Sequence, residues 1–453
     1  MAKSPTEVEL DVVNLSEDGL GGATLNDRPI WIRNALPGER VIARILKRRG
    51  GKKFADGRLV DSAGSEVNAN KDRVPSACEY FPRCGGCAMH HISADAQLLH
   101  KQNSLAEELL RVAVEPGQWR QPSALVRTGY RRKARMGVRV VGENVLVGFR
   151  ESFSNRVARI DHCLTLTKEL SALLPDLKST IAAMSEPHTI PQLEVAQGDS
   201  SVAILVRHLQ PLSAEDRELW CHFELKHRVQ VLLQSKGYDT LARLNEQDEV
   251  MALDYKIPEY GLSLQFYAHQ FTQVNALMNR ELVRTALGYL GNITGHIVAD
   301  MFCGIGNFTL PLARAGAKVV GIEGSQEATL MGQNNAQRNG LSEQCHFADE
   351  DLYSETASAE ADASMSATMR HFGQFPQALI LDPPRSGAGP NLESWVTSPE
   401  LEQIVYVSCN PKTFADDAKR LSDAGFVLRE VGIYDMFPNT AHVETIGHFV
   451  RGI

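Results

Sequence analysis

Hydrophobic and polar positions along the chain change period several times. From Glu7 to about Val60, short alternating runs are broken by turn signals at Glu17-Asp18-Gly19, Asn26-Asp27, Leu36-Pro37-Gly38 and Gly50-Gly51. Alternation puts every second residue on one face, so this spacing predicts short strands closing a small barrel. Between Ser93 and Val112 the period lengthens, and Leu98, Leu105, Leu109 and Val112 share one face of a predicted helix. From Tyr130 to about Leu264 the short period returns, as in Ala134–Val141 and Val145–Arg150, interrupted by one helical interval near Lys168–Met184. A mixed, mainly antiparallel domain is expected there.

After Gln270 the two periods alternate. The pattern predicts helix Val274–Tyr289, strand His296–Met301, helix Asn307–Ala315, strand Lys318–Ile322, helix Gln326–Asn339 and strand Cys345–Ala348. Strands Ala378–Leu381 and Gln403–Ser408, helix Thr413–Asp423 and two closing strands follow. Such alternation implies an α/β domain with a parallel sheet, helices on both faces and ligands at the carboxyl ends of the strands. A chain of 453 residues exceeds what one core sustains. The expected division is a barrel over 1–65, a central domain over 70–265 and the α/β domain over 266–453, with 93–125 packing on the last.

Composition narrows the picture. With 43% apolar and 23% charged residues the chain is not globally disordered. It has no apolar run long enough for a membrane span, and its first residues lack a secretory signal's apolar core, so a cytoplasmic location is expected. There, eight cysteines are poor disulfide material, and metal or catalytic roles gain weight. The net charge of −8 argues against a polyanionic partner, but the placement of the charges argues the other way. Arg40 to Lys53 holds seven positive charges and no acid, and Arg127 to Ile160 holds nine against Glu143 and Glu151. Either stretch is a solvated face or a phosphate-neutralising one. Acids gather instead at Asp349, Glu350, Asp351, Glu355, Glu360 and Asp362, running into a Ser/Ala/Met-rich stretch that reads as a flexible surface insertion over 354–375.

Candidate chemistry lies at strand ends. Asp300-Met301-Phe302-Cys303-Gly304-Ile305-Gly306-Asn307-Phe308 closes a strand and opens a helix, and Glu323 ends the next strand, where a carboxylate can bind two ribose hydroxyls. Thr309 stands where a dinucleotide fingerprint wants a third glycine, so a nucleoside-type ligand such as S-adenosylmethionine fits better than NAD. Leu381-Asp382-Pro383-Pro384-Arg385 and Ser408-Cys409-Asn410-Pro411 each leave the sheet through proline, holding Asp382 and Cys409 at the ligand edge. Thr440–Ile446 reads as a strand carrying His442 and Glu444. Cys78-x5-Cys84-Gly-Gly-Cys87 and a distant Cys163 supply four thiols, which suit a [4Fe–4S] cluster or structural zinc equally by spacing. His90 and His91 are loop residues that keep a mixed zinc site open. Cys221, Cys303 and Cys345 have no partners at ligand spacing and read as packing residues.

These motifs, in this order and with Phe271-Thr272-Gln273-Val274-Asn275 before them, resemble the uracil-5 RNA methyltransferase family over the whole chain. Gly21–Ala23 with Ala35–Glu39 resembles the TRAM domain, an OB-like barrel of RNA-modifying enzymes. Within the family the chain is most similar to the branch acting on 23S ribosomal RNA, which combines a TRAM domain with an iron–sulfur centre. The resemblance implies a Rossmann-like S-adenosylmethionine methyltransferase domain, an N-terminal TRAM barrel and a central domain carrying a [4Fe–4S] cluster on Cys78, Cys84, Cys87 and Cys163. It implies Cys409 as nucleophile, Glu444 as base and Asp382 as a contact to cofactor and uracil. It implies Gln273, Phe302, Asn307, Glu323 and Asp351 as further cofactor contacts, with Asp349 competing for the last place. The implied partner is 23S ribosomal RNA, with no membrane and no obligate protein partner, the enzyme acting as a monomer. Methylation of another ribosomal site or of transfer RNA is the alternative within the class. A non-catalytic RNA-binding assembly factor is the alternative outside it, and that would need neither Cys409 nor Glu444. An iron–sulfur radical enzyme would need an open iron site, against which the fourth thiol, Cys163, argues.

Overall fold

The computed structural model describes residues 6–46, 51–60, 69–354 and 363–452. The N-terminal strands form a six-stranded sheet, with Glu7–Asp11 against Arg40–Ile45 and Arg28–Arg33 against Lys53–Leu59. Their inward residues Ile30, Ile32, Val41, Ala43 and Ala55 make its core. Lys47, Arg48 and Arg49 of the first basic stretch lie outside the described residues.

The central sheet is mixed: most neighbours run antiparallel, while Val202–Arg207 and Gln230–Gln234 run parallel. Parallel neighbours need a crossover, and the helix Ala214–His227 supplies it. The sequence pattern placed only one helical interval in this domain, so this second helix is a correction. Its apolar stripe (Trp220 and Phe223, both buried) is blurred by Leu225, which faces solvent at 76% exposure.

The C-terminal sheet has eight strands, in the order Cys345–Asp349, Lys318–Glu323, Ile297–Met301, Ala378–Leu381, Gln403–Ser408, Glu444–Arg451, Phe426–Tyr434 and Gln118–Trp119. All run parallel except Glu444–Arg451, which is antiparallel to both neighbours. The order in which strands are added reverses between Ile297–Met301 and Ala378–Leu381, which opens a crevice at their carboxyl ends. Alternate residues serve opposite cores: Ala299, Met301, Leu379 and Leu381 face one side, Val298, Ala378 and Ile380 the other.

Segments from earlier in the chain complete both layers. The helix Ala94–Arg111 buries Leu105 and Leu109 in the first core, and the hairpin Leu253–Ile257/Leu262–Phe266 sends Ile257, Leu262 and Leu264 into the second. The Ser/Ala/Met-rich segment also differs from expectation. Residues 355–362 lie outside the described residues, but Ala363–Phe372 is a helix that puts Ala367 in the core. Alanine and methionine are strong helix formers, and the helix docks by burying Ala367 and Thr368 and packing Phe372 on the same core. The expected strand Thr440–Ile446 begins only at Glu444, because Asn439 turns the chain with φ +66°.

Candidate active site

The glycine-rich loop leaves Met301 with Phe302, Gly304 and Gly306 all at positive φ. Gly306 is required: a Cβ there would meet Leu310 at 2.1 Å. A Cβ on Gly304 would project into open space, which leaves the backbone accessible to a ligand. The helix that follows begins at Thr309, two residues later than expected. Asn307 is held by three hydrogen bonds from two residues: its Oδ1 accepts from Asn279 Nδ2 (2.8 Å) and Tyr255 OH (3.1 Å), and its Nδ2 donates to Asn279 Oδ1 (3.0 Å). Its side chain therefore locks the loop.

Glu323 closes the neighbouring strand, and its carboxylate accepts from Gly304 N (3.2 Å) and Ser325 N (3.0 Å). Phe302 turns its ring toward Tyr353 and Trp395, centroids 5.8 and 6.0 Å away. Asp349 stands opposite Glu323 in register, and Asp351 accepts from Tyr353 N at 2.9 Å; both are exposed. Gln273 is half-buried just before Asn275, whose side chain caps the helix Ala276–Leu290. Asp300 sits beneath the loop, fully buried. One oxygen accepts from Thr309 Oγ1 (2.5 Å), the other has no hydrogen-bond partner, and burial pushes the carboxyl up to about 7.

Across the crevice, Asp382 leaves the strand Ala378–Leu381 and Cys409 leaves Gln403–Ser408. The Cys409 turn is fixed by Asn410 N donating to Ser408 Oγ (3.2 Å) and by Asn410 Nδ2 donating to the Arg385 carbonyl (3.0 Å). Glu444, 2% exposed, opens the antiparallel strand beside it. Cys409, Arg385 and His442 line one cavity of about 230 Å³ together with His100, Lys101 and Ser104.

Electrostatics tie these groups together. Burial pushes Cys409 above the usual thiol range; the charges of Glu444 and Asp382 push it further, and Arg385 opposes them. Burial, and secondarily the charge of Asp382, pushes Glu444 far above the ordinary carboxylate range, again opposed by Arg385. Asp382, though partly accessible through the crevice, has its carboxyl raised by burial to about 7. The site thus presents a thiol and two carboxylates under mutual repulsion, with one guanidinium to relieve it.

Several participants escaped sequence reasoning. Arg385 lay within a motif that assigned it no role, while Asn279 and Tyr255 gave no local signal. Lys101 did give one: it is a lysine inside the apolar stripe of its helix. It is 1% exposed, and its Nζ meets Asp435 Oδ1 at 2.6 Å.

The four cysteines expected to bind metal line one small cavity with Tyr80, Phe149 and Ile160. Burial raises Cys84 to about 11 and Cys87 still higher, with the other thiols adding to the effect. His90 borders the same cavity, whereas His91 is stacked on Phe81. Among the described residues no three metal-ligating side chains converge closely enough to hold an ion as they stand. Between the N-terminal and central sheets lies a wider cavity of about 1430 Å³, lined by Arg33, Arg44, Arg58, Arg83, Arg139 and Arg156. Other members of the second basic stretch are engaged internally: Arg132 pairs with Asp199, and Arg131 covers the Phe437 ring. Among the described residues no helix is long and apolar enough to cross a membrane.

A parallel sheet reversing at its first strand, one antiparallel strand near its edge and a glycine-rich loop at the switch point make up the fold of the S-adenosylmethionine-dependent methyltransferases. The solved tRNA (uracil-54, C5)-methyltransferase of Pyrococcus abyssi, in complex with S-adenosyl-L-homocysteine, shares that fold. It superposes with a TM-score of 0.70 at 21% identity, covering 98% of this chain and all of its own. Residues 94–451 match the model of the tRNA (Uracil-5-)-methyltransferase family, and the chain belongs to that family. Curated relatives include the 23S rRNA (uracil(1939)-C(5))-methyltransferases RlmD of Hahella chejuensis and Alcanivorax borkumensis. The first is 38% identical over 99% of this chain and 98% of its own, the second 40% identical over 97% and 96%.

Proposed function

We propose that the protein transfers a methyl group from S-adenosylmethionine to C5 of a uridine in 23S ribosomal RNA, the site numbered 1939 in its relatives' names. One observation carries this reading: Cys409, Asp382 and Glu444 stand at one edge of the sheet, next to the strand end that opens the glycine-rich loop and close enough to perturb one another's charge, with Cys409 lining a cavity of about 230 Å³.

Uracil C5 is too weak a nucleophile to take a methyl group unaided. Addition of the Cys409 thiolate to C6 pushes electrons through the ring to the O4 enolate and makes C5 nucleophilic. C5 then attacks the sulfonium methyl, the C–S bond breaks and S-adenosylhomocysteine departs. Glu444 removes the C5 proton, the C5–C6 double bond re-forms and the thiolate leaves C6. Arg385, the cation among these groups, favours the thiolate and the ionised Glu444. Gln273, Phe302, Asn307, Glu323 and Asp382 hold the methyl donor, with Asp351 or Asp349 completing the set. Open space over Gly304 and the unpaired oxygen of Asp300 fit a polar nucleoside there.

Cys78, Cys84, Cys87 and Cys163 carry a [4Fe–4S] cluster in this reading, supported by their common cavity and by the resemblance of C-x5-C-G-G-C plus one distant cysteine to the family's ribosomal branch. With four thiols, such a cluster clamps the loop and supplies no chemistry to the transfer. The N-terminal sheet acts as a TRAM barrel, the arginine-lined cavity as part of the RNA face, and the enzyme works as a cytoplasmic monomer. Mass mapping of 5-methyluridine in a deletion strain tests the whole reading. The modification should vanish at position 1939 of 23S RNA and return with the wild-type gene but not with Cys409→Ala. Loss at another ribosomal site or in transfer RNA, or rescue by Cys409→Ala, would overturn it.

A further inference from the structure

The loop from Asp435 to Val443, which leads directly into Glu444, takes most of its order from elsewhere in the chain. Four consecutive carbonyls each accept from a different segment. Asn275 Nδ2 reaches Met436 O (3.3 Å), Lys101 Nζ reaches Phe437 O (3.3 Å) and Tyr130 OH reaches Pro438 O (3.0 Å). The backbone amides of Ala88 and Met89 both reach Asn439 O (3.0 Å each). Asn439 is the centre of this arrangement. Its N donates to Gln97 Oε1 (3.0 Å), its Oδ1 accepts from Gln97 Nε2 (3.3 Å), and its Nδ2 donates to Arg127 O (3.3 Å). The two hydrogens on Gln97 Nε2, in a residue 1% exposed, are shared among Asn439 Oδ1 and the nearer Met89 O and Ile92 O, both at 2.9 Å.

We propose that Gln97 and Asn439 are positioning residues for the base: together they knot the cysteine-bearing loop, the helix Ala94–Arg111 and the loop preceding Glu444, and so set where the Glu444 carboxylate stands. A loop without secondary structure leaves its backbone polar groups to be satisfied from outside, and those partners dictate its path. Asn439 suits the place because asparagine tolerates positive φ and keeps two side-chain hydrogen bonds there. Ala88 directly follows Cys87, so disorder at the cysteine site would be passed to the base through two backbone bonds. The inference rests on Glu444 acting as the base in the reading above.

Asn439→Gly tests it, since glycine keeps the turn and the backbone bonds while losing the bonds to Gln97 Nε2 and Arg127 O. Amide exchange over residues 436–446 should rise about tenfold, the effect of one or two buried hydrogen bonds, with Gln403–Ser408 still protected. Turnover should fall about tenfold or more, KM for S-adenosylmethionine should hold, and a methylated RNA–protein adduct should accumulate, as expected for a misplaced base. Asn439→Asp retains the acceptor for Gln97 and should recover most of the exchange protection and turnover; it also carries the test should the glycine variant fold poorly. Unchanged exchange in 436–446 would overturn the knot, as would turnover and adduct falling together, which would mark a general structural loss. Exchange is read without any chemistry, so it decides the knot even if wild-type enzyme gave no adduct, an outcome that would sink the covalent reading instead.

Discussion

In the proposed reaction Cys409 and Glu444 act at different steps, so removing each one separates them. Cys409→Ala should abolish both methyl transfer and adduct formation. Glu444→Gln should still allow addition and methylation, then stall with methylated RNA bound covalently to the protein, visible on denaturing gels. Asp300 offers a different test, on stability. Its pKa of about 7 lies above the unfolded value of about 4, so the folded state holds the proton more tightly. The stabilisation from this group is present below about pH 4, is lost as pH rises towards 7, and changes little beyond that. Asp300→Asn removes the liability. Urea titrations should find variant and wild type similar near pH 4 and the variant more stable at pH 8, by up to roughly 4 kcal/mol. A variant less stable than wild type at pH 8 would mean that the buried carboxylate is compensated by some favourable contact.

Among the secondary-structure elements, the helix Ala94–Arg111 is held to the C-terminal sheet by an ion pair as well as by leucines. Lys101 and Asp435 are both shielded from water, and Arg127 approaches the second carboxylate oxygen at 3.7 Å. Breaking such a pair from one side strands a buried charge, so Lys101→Met should cost about 3 kcal/mol or more in urea unfolding, and adding Asp435→Asn should return much of it. Legibility divides at this level. Strands Ala378–Leu381 and Gln403–Ser408 could be read residue for residue, because each is a continuous apolar run between turn signals. The groups that follow them, Asp382 and Cys409, were legible for the same reason: a strand end followed by proline fixes a side chain by local geometry alone. The beginning of the Glu444 strand was not legible, because Thr440–Val443 carries no turn signal of its own, and Asn439, where the chain turns, is bonded to Gln97 from far along the chain. Asn279 and Tyr255 escaped for a related reason: their meaning is a hydrogen bond to Asn307, made only when distant segments meet. The four cysteines could be read as a set, but spacing left iron–sulfur and zinc even. Anaerobic purification should give a brown protein with about four irons per chain, and stoichiometric zinc without iron would exclude the cluster.

For the molecule as a whole, a negative net charge and an RNA partner are reconciled by where cations stand without acids. In the cavity between the N-terminal and central sheets, Glu7, Asp56 and Glu151 pair with Arg58, with Arg33 and Arg44, and with Arg83, while Arg139 and Arg156 have no ion pair among the described residues. Charge reversal at Arg139 and Arg156 should weaken RNA binding and lower the slope of log affinity against log salt by about 0.7–0.9 for each phosphate no longer neutralised. S-adenosylmethionine affinity should not move, because neither residue borders the glycine-rich loop. An unaltered slope would make these arginines a solvated face.

The pairing of Lys101 with Asp435 spans 334 positions of sequence. A ribosome adds about 5–20 residues each second, so the helix carrying Lys101 emerges roughly 20–60 s before its partner exists. During that interval Leu105 and Leu109 have no core to enter, and the lysine has no carboxylate. The C-terminal sheet cannot close until its strand Glu444–Arg451 has emerged. Nascent chains of this protein should therefore be clients of ribosome-associated chaperones for most of their synthesis, and a premature stop after Pro411 should leave a product with Leu105 and Leu109 still uncovered.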